Sequence, residues 1–259
     1  MKEFIEWSKN FNRDKSKADK IKFIGFDSQC GSCAMKEVLS FINNHQPELK
    51  TKLSNEGLKL LFKIFLQKGY NLKKLNKDDQ DLTEHTLKKM NELFEKEVSL
   101  DKDIHMDLLS LNHAWEYGNS NPLNFLNVSD RNRAIIIKEI IKNKTKPVLM
   151  WAHNRHIDKS KSLWFKPIGY HLYENFKSEY LAIGLDFKKK TLSNDFSPLK
   201  KSNWIANKIT FNANKNINFI ETKDIGKLTI RNHGISSGIM KLKNDNQFDY
   251  LVYFQEIKN

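Results

Sequence analysis

Two histidines, His153 and His156, lie on the run Trp151-Ala-His-Asn-Arg-His156, directly behind the apolar stretch Pro147-Val-Leu-Met150. Imidazole exchanges a proton near neutral pH, so a pair on one loop is suited to orienting water, deprotonating it and protonating a leaving group. As general acid and base the two need a carboxylate or carbonyl that fixes the tautomer, and Asp27 or Asp186 at the ends of neighbouring strands could supply it. As metal ligands they need a further donor and an open position. The chain has no His-Glu-x-x-His, no second histidine pair at metal spacing and no cysteine cluster. As structural residues they would be hydrogen-bonded at a strand end and nothing more. Spacing alone leaves all three readings open.

Other chemistry is thinner. Cys30-Gly-Ser-Cys33 falls between a strand and a helix, where a helix N-terminus would lower a thiol pKa. A long helical block follows it instead of a compact thioredoxin unit, so the pair reads as small residues packed beneath a helix start. There is no Gly-x-Ser-x-Gly elbow for a serine hydrolase and no glycine-rich phosphate loop. His45, His85, His105, His113, His171 and His233 stand singly and read as surface or core residues.

The elements that must position the histidines alternate between sheet and helix. Residues 1–20 predict a helix with Phe4, Ile5, Trp7 and Phe11 as its apolar side, and Ile21-Lys-Phe-Ile-Gly-Phe-Asp27 predicts a buried strand ending in an acid. From Ala34 to about Glu116 the apolar period is helical: Leu58, Leu61, Phe62, Phe65 and Leu66; then Leu87, Met90, Phe94 and Val98; then Ile104, Leu108 and Leu111. Ser129 and Asp130 are possible caps of a helix over about 130–143. A strand over 147–151, the histidine loop, a helix over 168–176 and a strand over 180–186 follow. Short β-like runs come last, at Ile217–Glu221, Lys227–Ile230, Gly238–Leu242 and Phe248–Phe254.

A chain of 259 residues, 39% hydrophobic, can bury a substantial core. Its net charge of +13 would suit an anionic partner. Only Arg13, Arg131, Arg133, Arg155 and Arg231 are arginines, however, and the lysines are spread evenly, which argues for a solvated surface and against nucleic acid. No apolar run is long enough for a membrane span. Met1-Lys-Glu-Phe-Ile-Glu6 carries charge where a secretory signal needs an apolar core, which predicts a cytoplasmic location.

The order and spacing of Phe11-Asn12, Ile21-Lys-Phe-Ile-Gly-Phe-Asp-Ser-Gln29, Val148-Leu-Met-Trp-Ala-His-Asn-Arg-His156, Gly169 and Tyr180-Leu-Ala-Ile-Gly-Leu-Asp-Phe187 resemble the erythromycin esterase family. The resemblance implies one α/β domain over 1–259, a three-layer mixed sheet with an inserted helical block at 34–116 and a sheet-forming part with the histidine loop at 117–259. It implies a hydrolase that opens a macrolide lactone or related small-molecule ester with water activated by histidine and carboxylate, without serine nucleophile or cofactor. His153 would be the active-site histidine, His156 would line the same cleft, and Asp27, Trp151 and Asn154 would bind substrate or support the site.

The chain also departs from that family. Its Gly-Glu-x-x-His element is missing, and the helix usually written Arg-Asp-x-x-Met-Ala-x-Asn reads Arg131-Asn-Arg-Ala-Ile-Ile-Ile-Lys138. Lys188-Lys-Lys190 replaces a glycine after the Asp-Phe pair. These departures predict a fold incomplete at its N-terminal side, weak or absent esterase activity, and a separately encoded N-terminal segment as a partner. The alternatives are a non-catalytic remnant that binds a ligand, and a metal-dependent hydrolase built on His153 and His156.

Overall fold

The computed structural model describes residues 2–16, 19–27, 31–66, 72, 75–97, 102–121, 123–142, 144–190, 217–224, 229–231, 239–242 and 247–257. The fold is mixed α/β and mostly helical. Helices span Lys2–Asn12 (α1), Gly31–His45 (α2), Glu48–Lys52 (α3), Asn55–Leu66 (α4), Lys77–Glu97 (α5), Lys102–Asn119 (α6), Phe125–Ile141 (α7), Asn154–Ile157 (α8) and Ile168–Phe176 (α9). Strands span Ile183–Lys190 (β1), Ile217–Glu221 (β2), Thr229–Arg231 (β3), Ile239–Lys241 (β4) and Tyr250–Ile257 (β5).

The predicted helical block is present as α2–α6. Met35, Val38 and Ile42 interlock with Leu61, Leu87, Met90, Phe94, Leu108 and Leu111 in one buried cluster, which is what the 3.6-residue period requires. On α4, Leu61 is buried and Leu58, Phe65 and Leu66 pack against the cluster as predicted, together with Leu60 and Ile64, while Phe62 stays in solvent. Gly57 lets α4 approach α5 closely, since a Cβ there would sit 2.1 Å from Thr86 Oγ1. Val98 lies outside the described residues.

β1 pairs in parallel with β5, which pairs antiparallel with β2, giving a mixed sheet of order β1-β5-β2; β3 and β4 form a separate antiparallel pair. The late β runs and the helix and strand after the histidine loop are therefore present, with ends shifted by a few residues. Helix α7 begins earlier than predicted, at Phe125, and Ser129 and Asp130 are buried inside it instead of capping it. No helix among the described residues is long and apolar enough to cross a membrane.

Two predicted strands are corrected. Residues 21–27 and 147–151 are irregular and not strands, and among the described residues 22–26 and 148–152 form no backbone hydrogen bond. Far from being buried, Phe23 is 60% exposed, Leu149 81% and Trp151 70%. An extended segment becomes a strand only by pairing, and neither segment has a ladder beside it. The apolar side predicted for α1 is likewise exposed at Phe4, Ile5, Trp7 and Phe11, with Ser8 buried in their place. The rings of Phe4, Trp7 and Phe11 stack in a row, and Phe4 meets Phe23 edge-on, instead of entering the core.

Candidate active site

The histidine loop is held from the sheet side by Asn154. Its Nδ2 donates to the Leu185 carbonyl at 2.7 Å and its Oδ1 accepts from the Leu185 N–H at 2.9 Å, so a side-chain amide pairs with β1 as a backbone peptide would. This residue, expected beside the chemistry, is buried and positions the loop. His153 takes the N-cap position of α8, and its carbonyl accepts from the His156 N–H at 2.8 Å. That single turn swings the His156 ring toward α7. Gly169 allows α9 to sit against the end of the turn: a Cβ there would lie 2.2 Å from the Ile157 carbonyl oxygen.

His156 Nδ1 lies 2.8 Å from Oδ2 of Asp130 on α7. The tautomer-fixing carboxylate is therefore Asp130, not Asp27 or Asp186. Asp130 is 0% exposed. It also accepts from the Ile168 N–H at 3.3 Å, at the start of α9, and from Arg133 Nη1 at 3.2 Å. Burying an anion requires such donors, since a bare carboxylate in the interior is very costly. Arg133 reaches on through Nη2 to Asp27 Oδ1 at 3.1 Å. Asp27 thus joins the site at one remove, as the exposed end of a chain Asp27–Arg133–Asp130–His156. An ionised carboxylate only accepts, so Nδ1 carries the proton and Nε2 is the nitrogen left to accept from water.

His153 is exposed, and its imidazole makes no hydrogen bond among the described residues; its ring centroid is 6.1 Å from that of His156. Trp151 is exposed beside it. Among the described residues no group of three or more His, Cys, Asp or Glu side chains stands in a metal-holding arrangement. Cys33 is exposed and disulfide-bonded, which corrects its reading as a small packing residue; Cys30 lies outside the described residues.

Beyond Arg131 the polar network continues. Arg131 pairs with Glu116 of α6, and Asn132 Nδ2 donates to the same carboxylate at 3.1 Å. Burial pushes the nearby His113 imidazole down to about 4, against the opposing pull of Glu116, and His113 is a core residue as predicted. A cleft of about 640 Å³ opens here, its wall including Glu92, Asn112, Trp115, Glu116 and Asn124. His171 on α9 also has its pKa lowered, first by burial and then by Lys138 and Lys166.

Sequence reasoning missed Asp130, Arg133 and Glu116. A signal for Asp130 was present. It shares a helical face with Ala134 and Ile137, both buried, and an acid in an apolar stripe needs a partner. It also stands immediately ahead of Arg131, so α7 keeps an acid at the place where the sequence reading counted one lost.

No curated protein matches this chain by sequence. Two solved structures match it in fold. A Bacillus cereus protein shares 18% identity at a TM-score of 0.79, over 99% of this chain and 71% of its own. A succinoglycan biosynthesis protein shares 17% at a TM-score of 0.77, over 97% of this chain and 69% of its own. The erythromycin esterase profile matches residues 1–206, which takes in every element of the site from Asp27 through the histidine loop to β1. With that match over most of its length, the chain belongs to the erythromycin esterase family.

Proposed function

We propose that this protein is a hydrolase of carboxylic esters, of the kind that opens a macrolide lactone or a related small ester, and that it works by histidine-activated water. The observation that carries this reading is the Asp130–His156 pair. A buried carboxylate fixes the protonated nitrogen of His156 and offsets the charge of the imidazolium that forms when Nε2 takes a proton from water. His153, exposed and close by, is the group available to protonate the departing alkoxide. Trp151 offers an apolar face to the ester's carbon skeleton, as ligand sites commonly do. Asp27 and Arg133 hold Asp130 in place; Asn154 holds the loop.

Turnover by this chain is expected to be slow. One histidine–carboxylate arm supplies part of the acid–base catalysis, and each missing partner costs about 10²–10⁴ in rate. The test is hydrolysis of a p-nitrophenyl ester and of a fourteen-membered macrolide lactone by purified chain. A rate above the buffer blank that disappears in His156→Ala, and falls in Asp130→Asn with the fold intact, supports the reading. A wild-type rate equal to the blank, or one untouched by both substitutions, sinks it. The companion expectation for the fold is the three-layer sandwich.

A further inference from the structure

We propose that Cys30 and Cys33 form an exchangeable redox disulfide, a site where the protein accepts two electrons from a dithiol and passes them on to another disulfide. Cys33 is disulfide-bonded, no cysteine among the described residues is free, and the other cysteine of the chain is Cys30. The bridge therefore closes the run Cys30-Gly-Ser-Cys33 at the start of α2. The sequence admits two readings of this run, redox chemistry or small residues packed beneath a helix. Exposure of Cys33 removes the second. Helix α2 supplies what the first requires, fifteen residues whose first-turn N–H groups favour a thiolate.

The fold does not depend on the bridge, because packing already holds the start of α2. Gly31 is buried, and a Cβ there would lie 2.7 Å from Phe65 Cδ1 and 2.8 Å from Ala114 Cβ, so the helix is seated directly on α4 and α6. Ala34, Met35 and Val38 carry the contact on into the core. A bridge across two intervening residues also withdraws little freedom from the unfolded chain, since that effect grows with loop length. An exposed disulfide that stabilises little belongs to the labile class. Reduction then runs as two displacements. A thiolate of the incoming dithiol attacks Cys33 Sγ, forming a mixed disulfide and releasing Cys30 as a thiolate. The second thiolate of the reagent attacks its own bridged sulfur, and Cys33 departs as a thiolate at the helix N-terminus. The products are one oxidised reagent and two protein thiols, two electrons and two protons having moved. The inference is independent of ester hydrolysis, and either can fail alone.

The test uses the full chain and dithiothreitol without denaturant, with glutathione disulfide as the reference substrate. Thiols are trapped with a maleimide and counted by mass spectrometry. Two thiols are expected to appear together, about tenfold faster than dithiothreitol reduces glutathione disulfide at the same pH, because a stabilised thiolate leaves faster. The reduced chain should keep the circular dichroism spectrum and Tm of the oxidised one, and excess glutathione disulfide should restore the bridge. Cys30→Ser leaves Cys33 as a single thiol, which iodoacetamide should alkylate at pH 7 about tenfold faster than it alkylates glutathione. Resistance to dithiothreitol in the folded chain overturns the proposal, as does reduction no faster than that of glutathione disulfide. A fall in Tm on reduction also overturns it, because the bridge would then be a structural staple. Alkylation of the variant no faster than that of glutathione does the same, since the helix end would not favour the thiolate.

Discussion

Replacing Asp130 by asparagine tests both the packing and the chemistry of the site. The shape is retained while the charge is removed. Three donors converge on the carboxylate: His156 Nδ1 at 2.8 Å, Arg133 Nη1 at 3.2 Å and the Ile168 N–H at 3.3 Å. An asparagine amide can accept from one or two of these and turns its own N–H₂ toward another. Hydrogen bonds to charged groups contribute about 1.5–3 kcal/mol each, and breaking a buried ion pair costs about 3–5 kcal/mol because the surviving charge is stranded. Here the stranded group is Arg133, whose side chain is 13% exposed and keeps only the solvent-facing Asp27. The expected loss is therefore about 3 kcal/mol. Urea unfolding followed by circular dichroism measures it as a shift of midpoint at unchanged slope. Ester hydrolysis should fall by about 10²–10⁴, since the His156 tautomer is no longer fixed and its imidazolium no longer compensated. Asp27→Asn is the control, with an expected cost under about 1 kcal/mol for an exposed pair. If Asp130→Asn costs no more than Asp27→Asn, the carboxylate does not organise the site and the mechanism built on it is wrong.

Gly169→Ala should destabilise although it sits in a helix: the propensity gain of about 1 kcal/mol is outweighed by a Cβ 2.2 Å from a backbone oxygen that cannot move aside, and a fall in Tm checks it. Asn154→Ala strands the N–H and C=O of Leu185 and should cost about 2–4 kcal/mol in urea unfolding, with hydrolysis impaired through a misplaced His156. His113 is held to about 4 when folded against 6.5 as its ordinary value, so the unfolded chain binds the extra proton; stability should fall by about 3 kcal/mol as pH drops from about 6.5 to 4, a slope that His113→Phe removes. Asp107 has the opposite sign. Burial first, then Glu37 and Asp103, raise it to about 6, so its folded form keeps a proton longer and loses stability as pH rises from about 4 to 6. Asp107→Asn should therefore stabilise the protein at pH 7, by about 1 kcal/mol after allowing for its partial exposure, read as a rise in Tm.

What the sequence made legible was whatever depends on a residue's neighbours along the chain. The helical block announced itself through the spacing of Leu87, Met90 and Phe94 and of Ile104, Leu108 and Leu111, all buried as the period demands. The histidine loop was legible as a motif, and β1 and β5 as apolar runs. What failed depends on pairing between distant segments. Ile21–Asp27 has the composition of a buried strand, but composition cannot provide a neighbour to pair with. The partner of His156 failed for a related reason. Asp27 and Asp186 were favoured because strand ends usually carry catalytic acids, whereas the carboxylate arrives from the interior of α7, and only the helix packing shows that Asp130 points at the loop. Phe62 is a smaller case: it falls within the predicted stripe of α4, yet it stays exposed while Leu60 and Ile64 are buried.

Arg133 joins residues 106 positions apart when it reaches Asp27, and through Asp130 it joins both to the histidine. Asp27 rides at the end of residues 21–27, so its grip on the guanidinium depends on how firmly that segment is held. Anything that fixes residues 21–27 steadies Arg133, hence Asp130, hence the orientation of the His156 ring. Thermodynamic linkage makes the dependence mutual: a ligand at the loop that favours this alignment of His156 must tighten, by an equal free energy, the hold on the distant segment. The ion chain is thus a route by which an event at the edge of the fold and the occupancy of its reactive loop can each report on the other.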